Sequence, residues 1–200
     1  MKIGIFGGSF DPVHNAHINM AKCAMEQAGL NKVIFVPNGN PPHKTGLMAG
    51  NCERLDMLKL AIHKISGFEV SDYEIKKEDL CYTVDTMRYF KKLYPDATLM
   101  FIVGADSLDY IHKWNRADEL KSENTFIAVN RSFDKGYNFK DNVLKCRSSG
   151  WSIITVDMPF MDVSSTNIRN LAEMGQDVSE YVPQKVAQYI KDNKVYLKLK

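Results

Sequence analysis

The 200-residue chain has few cysteines, almost no net charge and no long apolar run. Its four cysteines (Cys23, Cys52, Cys81 and Cys146) lie far apart, with neither CxxC nor zinc-ligand spacing. That argues against a disulfide scaffold or a thiolate metal centre, and for a reduced, cytoplasmic protein with packed or incidental thiols. No apolar stretch approaches the length that spans a bilayer. The short apolar run after Lys2 breaks into glycines, which does not suit a signal peptide. A formal net charge of +2 is too small to attract nucleic acid or an anionic membrane, so an anionic ligand would have to be held locally. Two familiar phosphate-binding patterns, GxGxxG and GxxxxGK[ST], are missing as well. There are no repeats and no low-complexity linker, and the length suits one domain over residues 1–200.

What is present alternates. Lys2–Phe6, Lys32–Val36, Thr98–Val103, Thr125–Val129 and Ser152–Val156 are short runs rich in Ile, Val and Phe, the pattern of buried strands. Between them, helical spacing predicts a helix over Ala16–Ala28, stopped by Gly29, and a second from Cys52 with Asn51 as N-cap. The apolar face of the second would carry Leu55, Leu58, Ile62 and Ile65. A third helix should start near Thr83, with Val84, Met87 and Tyr94 in its pattern, and end at Pro95. Further helices are expected over Ser107–Trp114, Asn138–Cys146, Ser165–Met174 and Pro183–Lys191, with Pro183 at the first helical position. This α/β alternation predicts a mostly parallel sheet with helices on both faces. Such sheets bind ligands at the carboxyl ends of their strands.

One such end carries GGSFDPVHNAH, residues 7 to 17. Gly7-Gly8 lets a ligand approach the backbone, and Pro12 stiffens the loop before the helix. His14 and His17, three residues apart, should share one face at the positive end of that helix, where a phosphate is stabilised. Alone, an HxxH pair fits two structural histidines better; the glycines before it and the helix after it reverse that preference. A metal pair is disfavoured because no third ligand stands at an obvious spacing. Far along the chain, residues 164 to 169 read SSTNIR. Its serines and threonine would suit a helix cap. Arg169, one turn into a helix, is disfavoured by the dipole unless an anion is near.

Together these two stretches resemble the signatures of the nucleotidyltransferase superfamily, and more of the chain resembles bacterial nicotinate-nucleotide adenylyltransferases. The matching pieces are PNGNPPHK at 37 to 44, Arg54 with Met57-Leu58, YTVDT at 82 to 86, FIVGADS at 101 to 107, Trp114, and YVPQKVAQYI at 181 to 190. The resemblance implies a Rossmann-like fold and transfer of AMP from ATP to the 5′-phosphate of nicotinate mononucleotide. The products would be nicotinate adenine dinucleotide and pyrophosphate, in NAD biosynthesis. It implies that Gly8, Ser9 and Phe10 with His14 and His17 hold the ATP phosphates, and that Ser165, Thr166 and Arg169 clamp their far side. Gly104 and Asp106 would contact the nucleoside. Lys44, Thr83 and Trp114 would form the mononucleotide pocket, with His14, His17 and Arg169 as the catalytic set. Mg²⁺ would be bound through substrate phosphates, with no metal ligand required from the protein.

The residues themselves leave some of these roles open. Lys44 also fits a solvated surface lysine, Trp114 taken alone reads as core, and Thr83 suits a helix N-cap whatever else it does. Two positions depart from the family pattern: Ala16 stands where glycine is frequent, and Arg131 is followed by Ser132-Phe133 rather than proline. Arg131 is therefore left out of the site. A phosphopantetheine-type transferase would leave PPHK, YTVDT and Trp114 unexplained, and a synthetase fragment would need a KMSKS-like stretch. A non-catalytic nucleotide binder would tolerate loss of His17 or Arg169, which are both retained. The sequence leaves a homo-oligomer open. The lysines at 191, 194, 198 and 200 read as a solvated tail.

Overall fold

Strands that are apolar on both faces must be covered by helices on both sides. The computed structural model, which describes residues 1–39, 48–131 and 138–197, has this arrangement. Its strands are β1 (Lys2–Gly8), β2 (Lys32–Pro37), β3 (Phe68–Val70), β4 (Thr98–Gly104), β5 (Thr125–Arg131) and β6 (Ser152–Met158). All pairings are parallel, in the order β3-β2-β1-β4-β5-β6. The helices are α1 (Asn15–Gln27), α2 (Asn51–Ile62), α3 (Thr83–Leu93), α4 (Ala117–Glu123), α5 (Phe139–Ser148), α6 (Ser165–Glu173) and α7 (Gln184–Asp192).

Strand residues divide between two cores by the two-residue period of the pleat. Phe6, Phe35, Ile102, Ile127 and Val129 pack with α1, α2, α6 and α7 on one face. Ile3, Ile5, Phe101, Val103 and Phe126 pack with α3, α4 and α5 on the other. Strand order runs outward from β1 in one direction and from β4 in the other. The crevice that such a reversal opens lies at the carboxyl ends of these two neighbours.

Several expectations are corrected. β3 and α4 were not foreseen. The helix expected over Ser107–Trp114 is two short 3₁₀ turns, Ala105–Asp109 and Ile111–Lys113, broken at Tyr110 with φ −132°. Gly50, not Asn51, is the N-cap of α2, and its N–H donates to the Glu53 carboxylate at 2.7 Å. The buried face of α2 holds Arg54, Met57, Leu58, Ala61 and Ile62, whereas the expected Leu55 is only half-buried and Ile65 lies beyond the helix end. Tyr82 occupies the N-cap of α3 and Thr83 is its first helical residue. Pro183 is likewise the N-cap of α7 rather than its first residue. Among the lysines expected on a solvated tail, the intervening Val195 and Tyr196 are buried.

Candidate active site

At the end of β1 the two glycines make room for aromatic rings as well as for a ligand. A Cβ on Gly7 would stand 2.9 Å from Cζ of Phe101, and one on Gly8 3.0 Å from Cζ of Phe10. Phe10 itself sits in the left-handed region with φ +46°, a conformation costly for an aromatic residue. Its ring is held edge-on to Phe6 at 5.3 Å and to His17 at 5.1 Å. The loop is thus fixed by packing before any ligand arrives.

The helix start then places the two histidines together. Their rings stack at 3.6 Å, as the i, i+3 spacing predicts. His14 is the N-cap of α1 and only 3% exposed. Its backbone N–H donates to Nδ1 of His17 at 3.2 Å. A ring nitrogen that accepts carries no proton, so the neutral His17 ring holds its proton on Nε2 and is a donor there.

The late motif folds onto the same loop. Ser164 caps α6 by accepting the Asn167 N–H. Ser165 Oγ donates to the Pro12 carbonyl at 3.0 Å, and Arg169 Nη1 donates to the Asp11 carbonyl at 2.8 Å. Arg169 Nη2 donates to Thr166 Oγ1 at 3.2 Å. Two segments more than 150 residues apart are therefore stitched through side chains that the sequence singled out.

A cleft of ≈ 340 Å³ opens beside them. Gly8, Ser9, Phe10 and His17 line it from β1 and α1, Gly104 and Asp106 from the end of β4, and Thr83 and Trp114 from α3 and the second 3₁₀ turn. His14, Ser165, Thr166 and Arg169 are not among its lining residues; the last three meet the loop at Asp11 and Pro12 or one another. Lys44 lies outside the described residues. Trp114 combines its two readings: it is half-buried, lines the cleft, and packs edge-on against Phe101 at 6.0 Å and Phe126 at 6.2 Å.

Two buried charges were not placed in the site by sequence reasoning. Glu74, 3% exposed, lines the cleft and accepts from Thr86 Oγ1 at 2.5 Å and from Asn38 Nδ2 at 2.9 Å. Burial pushes its carboxyl above the ordinary glutamate range, against the opposing pull of those two hydrogen bonds and of Lys77. Arg54, fully buried, donates to the Ser9 carbonyl at 2.7 Å, the Asn38 carbonyl at 2.6 Å and Asn51 Oδ1 at 2.6 Å. It ties the ends of β1 and β2 together under the loop. Glu74 stands in the charged stretch SDYEIKKED, where nothing separates it from a solvated residue. Arg54 had a signal, a cation on an otherwise apolar helical face.

Among the described residues, no group of three His, Cys, Asp or Glu is placed to hold a metal ion, and no helix is long and apolar enough to cross a membrane. The chemistry gathered at the loop is that of N–H donors and imidazole, which suits an anion.

Comparison with known proteins fits this geometry. Residues 5–171 match the family model described as cytidylyltransferase-like. A protein of Clostridium botulinum (strain Loch Maree / Type A3), named "Probable nicotinate-nucleotide adenylyltransferase", is 42% identical over 198 residues, 96% of this chain and 97% of its own. A protein of the same name from Clostridium tetani (strain Massachusetts / E88) is 39% identical, with 98% of each chain covered. Among solved structures, Plasmodium falciparum nicotinic acid mononucleotide adenylyltransferase complexed with NaAD superimposes with a TM-score of 0.81, covering 98% of this chain and 97% of that one. At 22% identity that likeness speaks for the fold. Identity near two-fifths sustained from end to end speaks for more: the chain belongs to the nicotinate-nucleotide adenylyltransferases, within the cytidylyltransferase-like nucleotidyltransferases.

Proposed function

We infer that the protein transfers AMP from ATP to nicotinate mononucleotide, giving nicotinate adenine dinucleotide and pyrophosphate, a step of NAD biosynthesis. The observation that carries this reading is one continuous cleft, lined both by the Gly8–Phe10 loop with His17 and by Thr83 with Trp114. A phosphate-binding end and an aromatic, helix-start end in one cleft suit a reaction that joins two nucleotides.

The 5′-phosphate oxygen of the mononucleotide attacks the α-phosphorus of ATP. A new P–O bond forms as the bond to the β-phosphate bridging oxygen breaks, and its electron pair leaves with pyrophosphate. A phosphate monoester is already largely dianionic at neutral pH, so no side chain need act as a base. The protein's task is positioning and charge stabilisation. His17 Nε2–H, set by the hydrogen bond at Nδ1, donates to a phosphate oxygen on which charge builds. Backbone N–H groups of Gly8, Ser9 and Phe10 cradle the triphosphate. His14 braces the His17 ring by stacking.

Ser165 and Thr166 hold the start of α6, and Arg169 has five N–H donors of which two hydrogen bonds to the protein leave capacity for phosphate. Gly104 and Asp106 meet the adenosine, and Trp114 and the start of α3 at Thr83 meet the nicotinate. Lys44 is assigned to the mononucleotide side from the PPHK stretch. The N–H groups and imidazoles suit the phosphate oxygens, so a magnesium ion would be held by the triphosphate itself rather than by protein carboxylates. Bound there, the ion would offset charge on the phosphates and leaving group. Release of pyrophosphate from ATP that depends on added nicotinate mononucleotide tests the reading. Release without the mononucleotide, or none with it, would overturn it.

A further inference from the structure

The segment after α7 meets the signature loop at one buried point. Asp11, 2% exposed, sits between Phe10 and the helix start at His14. Its Oδ2 accepts the Met48 N–H at 3.0 Å. Its Oδ1 accepts the Ala49 N–H at 3.2 Å and the Tyr196 O–H at 2.8 Å. Its carbonyl accepts Arg169. One residue thus joins the loop, the stretch before α2, the start of α6 and a tyrosine 185 positions away.

Tyr196 is held for this contact. It is 6% exposed and belongs to the core face that carries α1 and α2. Its φ of +72° lies in the left-handed region, which a bulky aromatic residue adopts only where its surroundings impose it. Burial, then the charge of Asp11 and the hydrogen bond to it, push its phenol far above the ordinary tyrosine range. It therefore stays an O–H donor at any working pH. A buried carboxylate deprived of one such donor is left under-solvated, and the lowest-cost relief is for Asp11 to move. Any shift of Asp11 is passed to Phe10 on one side and His14 on the other.

We propose that Tyr196 is a positioning residue for the ATP side of the site: through the Asp11 carboxylate it latches the Ser9–His14 loop in its phosphate-binding shape. This rests on the AMP-transfer reading above. The segment at 193–197 would then contribute to catalysis without touching substrate.

The test is Tyr196→Phe, which keeps the ring and removes only the hydroxyl. kcat/KM for ATP should fall by about ten-fold or more, the scale of one hydrogen bond to a charged group. KM for nicotinate mononucleotide should stay within about two-fold. In an Asp11→Asn background the same change should have little further effect, because the path through the carboxylate is already altered. Unchanged ATP kinetics overturn the proposal even where the melting temperature drops, and so does an equal rise in KM for both substrates. Should the variant not fold, hydrogen exchange on the parent decides. ATP alone should slow exchange at residues 193–197 along with 9–14, and slowing confined to 9–14 would refute the latch. A parent that binds ATP but forms no dinucleotide contradicts the functional reading instead.

Discussion

Replacing the His17 side chain by methyl removes the Nε2–H donor from the cleft together with the acceptor for the His14 N–H and the edge contact to Phe10, and leaves the Phe6–Phe10 contact to hold the loop. His17→Ala should therefore lower turnover by roughly 10²–10³-fold, the scale for one transition-state donor, with much smaller changes in substrate binding. A folded variant with near-normal turnover would remove His17 from that role. Trp114 makes a different claim. Trp114→Ala should weaken nicotinate mononucleotide by about 1–3 kcal/mol of stacking and leave ATP nearly untouched. Its edge contacts to Phe101 and Phe126 supply the competing outcome: equal loss for both substrates, or unfolding, would mark the ring as core alone. At this scale the sequence was legible where chemistry is local. Gly8, Phe10 and His17 stand in one eleven-residue motif, whereas Asp11 and Tyr196 meet only in three dimensions, and nothing in VYLKLK distinguishes a buried tyrosine from a surface one.

Elements were legible in proportion to how much apolar surface they bury. The five long strands show as continuous runs of Ile, Val and Phe, but β3 has three residues, of which Phe68 and Val70 are only half-buried. α4 fully buries Leu120 alone and has Ala117 as its other apolar residue, so no 3.6-residue pattern reveals it. The start of α3 was found, but the buried carboxylate beneath it was not. Glu74 bridges Thr86 of α3 and Asn38 after β2, joining the elements on the mononucleotide side. Because burial raises its folded-state pKa above the ordinary value of 4.5, its stabilising contribution is complete below pH 4.5 and is lost as pH rises through the folded-state value. Glu74→Gln stays neutral throughout. Relative to this variant, the parent should lose stability in urea titrations as pH rises above 4.5. A constant gap between the two proteins, or one of opposite sign, would show that the carboxylate is not held this way.

Across the whole molecule, topology brings the site together. Strand order reverses between β1 and β4, and the cleft is lined from the carboxyl ends of these strands, from α1, from the start of α3, from Asn38 and Glu74, and from the 3₁₀ turns up to Trp114. The parallel order follows from the alternation of strands and helices in the sequence. The tethering of α6 to Asp11 and Pro12 does not, since it rests on two hydrogen bonds across more than 150 residues. The central claim is that this cleft joins ATP to a mononucleotide bearing a carboxylate. The N-cap of α3 offers no capping side chain and the Asp85 N–H donates to the Tyr82 carbonyl, so it is the N–H groups of Thr83 and Val84 that are suited to an anion by helix geometry and dipole. Nicotinamide mononucleotide carries no charge there and would turn an NH₂ toward donors. The decisive measurement is kcat/KM for both mononucleotides at saturating ATP, with the dinucleotide product identified in each case. The account predicts nicotinate adenine dinucleotide in step with pyrophosphate, and a preference for the acid of roughly 10²–10³-fold, short of the limit because the amide oxygen can still accept one bond. Comparable values for the two substrates would contradict the carboxylate at the helix start, and no dinucleotide from either would contradict the account as a whole.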